Sequence, residues 1–258
     1  MNKIKETDVS RLIIKEFYKK ITDSLSADVV IAGAGPSGLT AAYYLAKEGI
    51  KTVVFERALK PGGGMPGGGI MFNVIVLQSE IEEILKEIGI TYKKENNYLL
   101  ADSLEATSLL VANAIKRGAK VFNLMNVEDV VIKEDRVSGV VINWTAVELA
   151  GLHVDPVTVE SRFVVDATGH DARVSRITEK KTKGKLYTPT GKIEGEGPMR
   201  AEDAETFVVK NTKEVYPGLY ACGMAVNAVF GGPRMGPIFG GMLLSGKKVA
   251  EKIKEHLS

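Results

Sequence analysis

Residues 27–57 read A-D-V-V-I-A-G-A-G-P-S-G-L-T-A-A-Y-Y-L-A-K-E-G-I-K-T-V-V-F-E-R, and this stretch decides the fold class. The apolar run from Val29 to Ala32 leads into Gly33-Ala34-Gly35-Pro36-Ser37-Gly38. Leu39, Ala42, Leu45 and Ala46 then recur at helical spacing, and Gly49 stops the helix. A second apolar run, Thr52 to Phe55, closes on Glu56. The pattern predicts a strand, a tight glycine turn, a helix and a second strand, the first unit of a Rossmann-like α/β fold. Gly33 permits the turn, Gly35 lets backbone approach a pyrophosphate, and Gly38 lets helix close on strand. Free N–H groups and a positive dipole at the helix start favour phosphate. Glu56 stands where an acid bonds a ribose hydroxyl. An ADP-containing dinucleotide is expected here, though the stretch does not say which one.

Length and composition narrow the classes. A chain of 258 residues can form one elaborate domain or two small ones. No linker splits it, so residues 1–258 read as a single dinucleotide-binding domain of three-layer, FAD/NAD(P)-binding type. A helix over about 8–24 precedes the glycine turn, and an inserted β-hairpin or antiparallel segment is expected over about 76–162. A net charge of +2 gives no reason to invoke nucleic acid or a membrane surface. No apolar run approaches the ~20 residues that span a bilayer, and no apolar segment follows the charged start to make a signal peptide. The single cysteine, Cys222, excludes an internal disulfide and fits a reducing compartment. The expected location is cytoplasmic. Abundant Glu and Lys with scarce Cys match a hot habitat.

The remaining chain supplies scaffold and loops. Val9, Leu12, Ile13, Phe17, Ile21 and Leu25 give the first helix an apolar stripe, expected to pack on the domain or a second subunit. Six glycines in the eight positions from Gly62 to Gly69 exclude a helix or strand interior. The apolar Met65, Ile70, Met71 and Phe72 argue against a solvated linker. A backbone-lined wall against a ligand is expected, with bare N–H donors. Helices are predicted over 78–88 and 103–117, the second capped by Asp102 or Ser103, and strands over 98–101 and 120–125. A hairpin turns at Glu134-Asp135, and a strand runs from Val157 into Asp166-Ala167-Thr168-Gly169-His170-Asp171. A helix follows over 173–181, residues 182–199 have the polar, glycine-rich composition of a mobile segment, and a last helix spans about 237–257.

Two groups of residues carry chemistry. His153 and Asp155 are two apart, and Pro156 favours an extended backbone at Asp155, so both face one side. With His170 they form the one cluster of metal-type donors around histidine, of a kind that suits Fe(II), Zn or Mn with open positions. Taken singly, each histidine is more often a hydrogen-bonded structural residue than a ligand. His256 lies in the last, charged turn and reads as solvated. Arg234 sits in an apolar Gly-Pro loop and reads as a fork for a substrate carboxylate.

Three separated pieces resemble a flavin-type two-dinucleotide fold: the glycine turn with Glu56, the strand end at Asp166-Ala167-Thr168-Gly169, and Gly218-Leu219-Tyr220-Ala221-Cys222-Gly223. Where that group has Gly-Asp, with the Asp on the ribityl chain, this chain has Gly223-Met224. An apolar Met cannot bond a ribityl hydroxyl, so a ligand sharing only the ADP half is favoured. The glycine stretch ending Met71-Phe72-Asn73 is joined by Asn143-Trp144-Thr145, Asp155-Pro156, Thr168-Gly169-His170-Asp171 and Arg234-Met235-Gly236-Pro237. Together these resemble the thiamine thiazole synthases over nearly the whole chain. Pro66 departs from the bulky residue that the resemblance leads one to expect between the glycine triplets.

The resemblance implies that NAD is a substrate: nicotinamide leaves, the ADP-ribose carbonyl condenses with glycine, sulfur is added and the ring closes. The implied product is an ADP-linked thiazole carboxylate. Yeast and plant members give up the sulfur of a cysteine two residues before the Asp-Pro aspartate. That position is His153 here, so the chain resembles the archaeal-type branch, which turns over repeatedly on free sulfide and Fe(II). By resemblance, Asp155 and His170 are iron ligands and His153 an acid/base or orienting group, the three forming the catalytic set. Ser37, Glu56, Arg57 and Gly64 hold the ADP moiety, Val127 and Met224 line it, His153 also contacts the bound nucleotide, and Arg234 clamps the glycine carboxylate. A homo-octamer is implied, with the His153–Asp155 segment reaching a neighbour's site. A FAD-dependent oxidoreductase and a ribose-1,5-bisphosphate isomerase remain as alternatives.

Overall fold

Val29 and Ile31 of the central strand face one apolar layer, and Val30 and Ala32 face the other. That burial on both faces is what a parallel sheet covered on each side requires. The computed structural model describes residues 3–257. Across the sheet the strands run Glu214–Tyr216, Leu219–Ala221, Val157–Asp166, Ser26–Ala32, Thr52–Glu56 and Lys120–Asn123. Every neighbouring pair is parallel except the first. Helices Pro36–Lys47, Ser103–Lys116 and Gly240–Leu257 bury Leu39, Leu110 and Leu243 in the core on one face. Helices Arg173–Lys181, Ala201–Asn211 and Met224–Phe230 bury Val174, Val208 and Val229 on the other. The result is a three-layer, Rossmann-like α/β fold.

The expected insert is not one body. Strands Val74–Gln78, Tyr98–Asp102 and Tyr92–Glu95 make a small antiparallel sheet of their own. The chain then returns to the main sheet through Lys120–Asn123. The hairpin Met125–Lys133 with Arg136–Trp144 is an extension of that sheet, paired antiparallel to Val157–Asp166. Its turn residues Glu134 and Asp135 have φ of 50° and 54°, the left-handed pair that a two-residue hairpin needs. The strand expected over 120–125 breaks at Leu124, whose φ is 57°. Asp102 caps the following helix, its Oδ1 accepting from Leu104 N at 2.8 Å and Glu105 N at 2.9 Å.

The first and last helices differ from expectation in their bounds. The first helix is Glu6–Thr22, and none of its residues is buried within the chain. Toward its end it meets the domain, where Phe17 packs edge-on to Phe122 at 6.2 Å, Ile21 packs on the core and Lys20 Nζ donates to Val121 O at 2.6 Å. The last helix begins at Gly240 rather than Pro237, because Ile238 bridges to Val76 and Phe239 N donates to Val76 O at 3.2 Å. Within residues 182–199, Tyr187 N, Glu194 N and Gly197 N donate to Val215 O, Val229 O and Gly232 O at 2.8, 3.0 and 2.9 Å. Among the described residues, no helix is long and apolar enough to cross a membrane.

Candidate active site

Gly33 has a φ of 99°, and a Cβ there would lie 2.4 Å from Ala167 O, so only glycine lets the two strand ends meet. Pro36 opens the helix after Gly35, with no side-chain cap and no acid in the first turn, which leaves the first amides for a ligand. A Cβ on Gly35 would meet nothing within 4 Å, so space lies open before those amides. Ser37 is buried at the same helix start and lines the space. Glu56 is also buried and does more than the sequence implies. Its Oε2 accepts from Ala34 N at 2.7 Å and its Oε1 from Ala58 N at 2.8 Å. The carboxylate therefore locks the glycine turn and keeps lone pairs to spare.

The opposite rim is organised by Asp166, fully buried at its strand end. One carboxylate oxygen accepts from Thr168 N and Oγ1 at 3.1 and 2.6 Å, the other from Ser175 N and Oγ at 2.8 and 2.7 Å. Thr168 Oγ1 in turn accepts from Arg173 N at 2.7 Å. These bonds set the turn that presents His170 and Asp171. His170 Nδ1 lies within hydrogen-bond distance of both oxygens of Glu196, at 2.7 and 2.9 Å. Arg57 reaches Asp171 at 3.3 Å across the rim, but both are exposed, so the pair adds little stability.

Between the rims lies a cavity of about 620 Å³, within the ordinary range for ligand sites. It opens at the carboxyl ends of the parallel strands, where the sheet order reverses, the usual place for ligands in such sheets. Of the expected nucleotide set, Gly33, Gly35, Ser37, Glu56, Arg57, Gly64, Val127 and Met224 all line it. Gly38 stands behind, where a Cβ would lie 2.2 Å from Gly33 O. Arg234 and His170 line it too, with Met235 and Phe239 as apolar wall. The glycine-rich wall is present at Gly63, Gly64 and Gly68, and Met65 is buried beneath it. Ile70, Met71 and Phe72 are 77, 93 and 67% exposed within the chain.

His153, expected in the nucleotide set, and Asp155 instead line a different concavity, of about 250 Å³. Asn126 and Arg173 line both spaces and stand between them. Glu148 holds this divider: Arg173 Nη1 donates to it at 2.9 Å and Asn126 Nδ2 at 2.6 Å. One chain thus separates Asp155 from His170. Among the described residues, no group of three or more His, Cys, Asp and Glu could hold a metal. Cys222 is wholly buried, and burial pushes its thiol up to about 12. Sequence reasoning missed Glu196, Arg173 and Asn126. Arg173 had a signal, since it opens the helix after Asp171. Glu196 had none, because it lies 26 residues from His170 on a loop.

The Thi4 family model matches residues 10–239. A thiamine thiazole synthase of Methanothermobacter thermautotrophicus is 53% identical over 99% of both chains. One of Pyrococcus horikoshii is 51% identical over 98% of this chain and 99% of its own. The crystal structure of Thermovibrio ammonificans THI4 superposes with a TM-score of 0.97 at 50% identity, covering 99% of each chain. On the matched residues, the shared fold and the full-length identity, the chain belongs to the Thi4 family of thiamine thiazole synthases.

Proposed function

We propose that this chain is a sulfide-dependent thiamine thiazole synthase. It takes NAD as a substrate, releases nicotinamide, and combines the ADP-ribose portion with glycine and free sulfide into an ADP-linked thiazole carboxylate. One observation carries the sulfide dependence. The chain's single cysteine is fully buried, with its thiol pushed up to about 12, and the residue two before Asp155 is His153. A buried, protonated thiol is neither nucleophilic nor accessible, so the sulfur has to come from outside.

The residues divide the work by position. The amides at the start of Pro36–Lys47, with Ser37, hold the pyrophosphate, and the spare lone pairs of Glu56 take the ribose. Met224, Met235 and Phe239 keep water from the reacting end. Arg234 clamps the glycine carboxylate as a bidentate fork. Fe(II) suits the donor set: Glu196 occupies His170 Nδ1 and leaves Nε2, the usual arrangement of a metal-ligating imidazole. His170 and Asp155 would hold the ion, which supplies Lewis-acid polarisation when bound. His153, beside Asp155, serves as acid, base or orienting group. The separation of Asp155 from His170 within one chain supports a site shared between subunits of a homo-octamer.

Anaerobic protein given NAD, glycine, sulfide and Fe(II) should release an adenylated thiazole over many turnovers, followed by mass spectrometry. Product capped at one per chain, or absent, defeats this reading.

A further inference from the structure

We propose that Glu196 is a positioning residue for His170, setting which ring nitrogen keeps its proton and holding the imidazole plane. An ionised carboxylate accepts hydrogen bonds and cannot donate them, so the nitrogen facing it carries the proton. Both Glu196 oxygens face Nδ1, at 2.7 and 2.9 Å. In the neutral ring this leaves Nε2 bare, the reverse of the tautomer that free imidazole side chains prefer in water. Both partners are fixed from behind. Glu196 sits on a segment bonded before and after it, with Gly195 N to Ala228 O at 3.0 Å and Gly197 N to Gly232 O at 2.9 Å. His170 sits on the turn that Asp166 holds through four hydrogen bonds. The Glu196 side chain is 19% exposed against 47% for His170, so the carboxylate lies on the inner side of the pair. An accidental surface pair would have neither partner anchored in this way. Glu196 acts on bound groups through His170.

The consequence for metal binding rests on the reading of His170 as a ligand through Nε2. A ligating imidazole that loses its carboxylate partner typically loses about 10–100-fold in metal affinity. Two measurements on the full chain test the proposal. First, ¹⁵N NMR of the metal-free, histidine-labelled protein at about pH 8, above the ordinary imidazole range, with His170→Gln used for assignment. His170 should show a protonated Nδ1 and a bare Nε2, and Glu196→Ala should shift it toward a protonated Nε2. Second, anaerobic Fe(II) titration with NAD and glycine present and sulfide absent. Glu196→Ala should bind Fe(II) roughly 10–100-fold more weakly, with ADP-ribose affinity unchanged and Glu196→Asp restoring part of the loss. Glu196→Gln is nearly isosteric and serves if the alanine variant misfolds; its affinity should fall between wild type and alanine. A protonated Nε2 in the wild-type, metal-free chain overturns the proposal, as does wild-type Fe(II) affinity in both the alanine and glutamine variants. If the wild type itself binds no Fe(II), the iron reading fails instead, and the tautomer decides the role of Glu196.

Discussion

A single thiol shows how burial sets chemistry at the residue scale. Cys222 has no exposed surface, and removing water from it penalises the thiolate. Its folded value rises from 9.0 to about 12, so the folded chain keeps a proton that the unfolded chain loses. The linkage sign follows: the stability is present below pH 9 and is lost as pH rises toward 12. We expect Cys222→Ala to flatten the decline of Tm across that alkaline range, after subtraction of any constant offset from the smaller side chain. Parallel curves for the two proteins would remove this account. Alkylating reagents at neutral pH should leave the native wild type unmodified by intact-mass analysis. Glu56 teaches a related lesson. Its place after the second strand is legible in the sequence, but its bonds to Ala34 N and Ala58 N depend on where the turn folds back.

At the scale of elements, the glycine turn separates folding from binding. Gly33 combines a φ of 99° with a Cβ position 2.4 Å from Ala167 O. Gly33→Ala adds backbone strain and overpacking, each about 1–3 kcal/mol, and should lower Tm by several degrees and abolish ADP-ribose binding. Gly35 differs. It has an ordinary φ of −73°, and its Cβ would meet nothing within 4 Å. Gly35→Ala should keep the wild-type Tm yet weaken ADP-ribose binding, because the methyl fills the ligand's approach. Calorimetry and thermal melts read the two effects apart. Unchanged ADP-ribose affinity in Gly35→Ala would mean that the pyrophosphate does not pass there. The first strand, turn and helix were readable because a short apolar run and a period-3.6 pattern meet at a glycine turn. Helix Ala201–Asn211 was not, because acids and a threonine interrupt its apolar positions. Helix Met224–Phe230 was hidden in a short run apolar but for Asn227, where periodicity carries no signal.

At the scale of the molecule, the first helix is the unsettled element. Glu6–Thr22 exposes Leu12, Ile13 and Ile14 by 61, 64 and 68%. An apolar helix face without cover in the chain is the kind of surface that a subunit interface uses. It supports the octamer proposed above. Replacing Leu12 and Ile13 together by Asp should leave the circular dichroism of the α/β domain intact and shift light scattering to smaller species. Wild-type protein that is monomeric in the same measurement would refute the assembly and, with it, a site shared between chains.

Read alone, the sequence determined the Rossmann-like α/β fold, the glycine turn after the first strand and the absence of a cysteine two residues before Asp155. These follow from local rules: side-chain periodicity, glycine's allowed φ and residue identity. Tertiary structure alone decided that Asp155 and His170 line separate spaces, that Glu56 locks its own turn, and that Glu196 holds His170. Each of those depends on loops meeting across the ends of the strands. The partners are fixed by backbone hydrogen bonds between distant segments, and such bonds leave no mark on residue type or spacing.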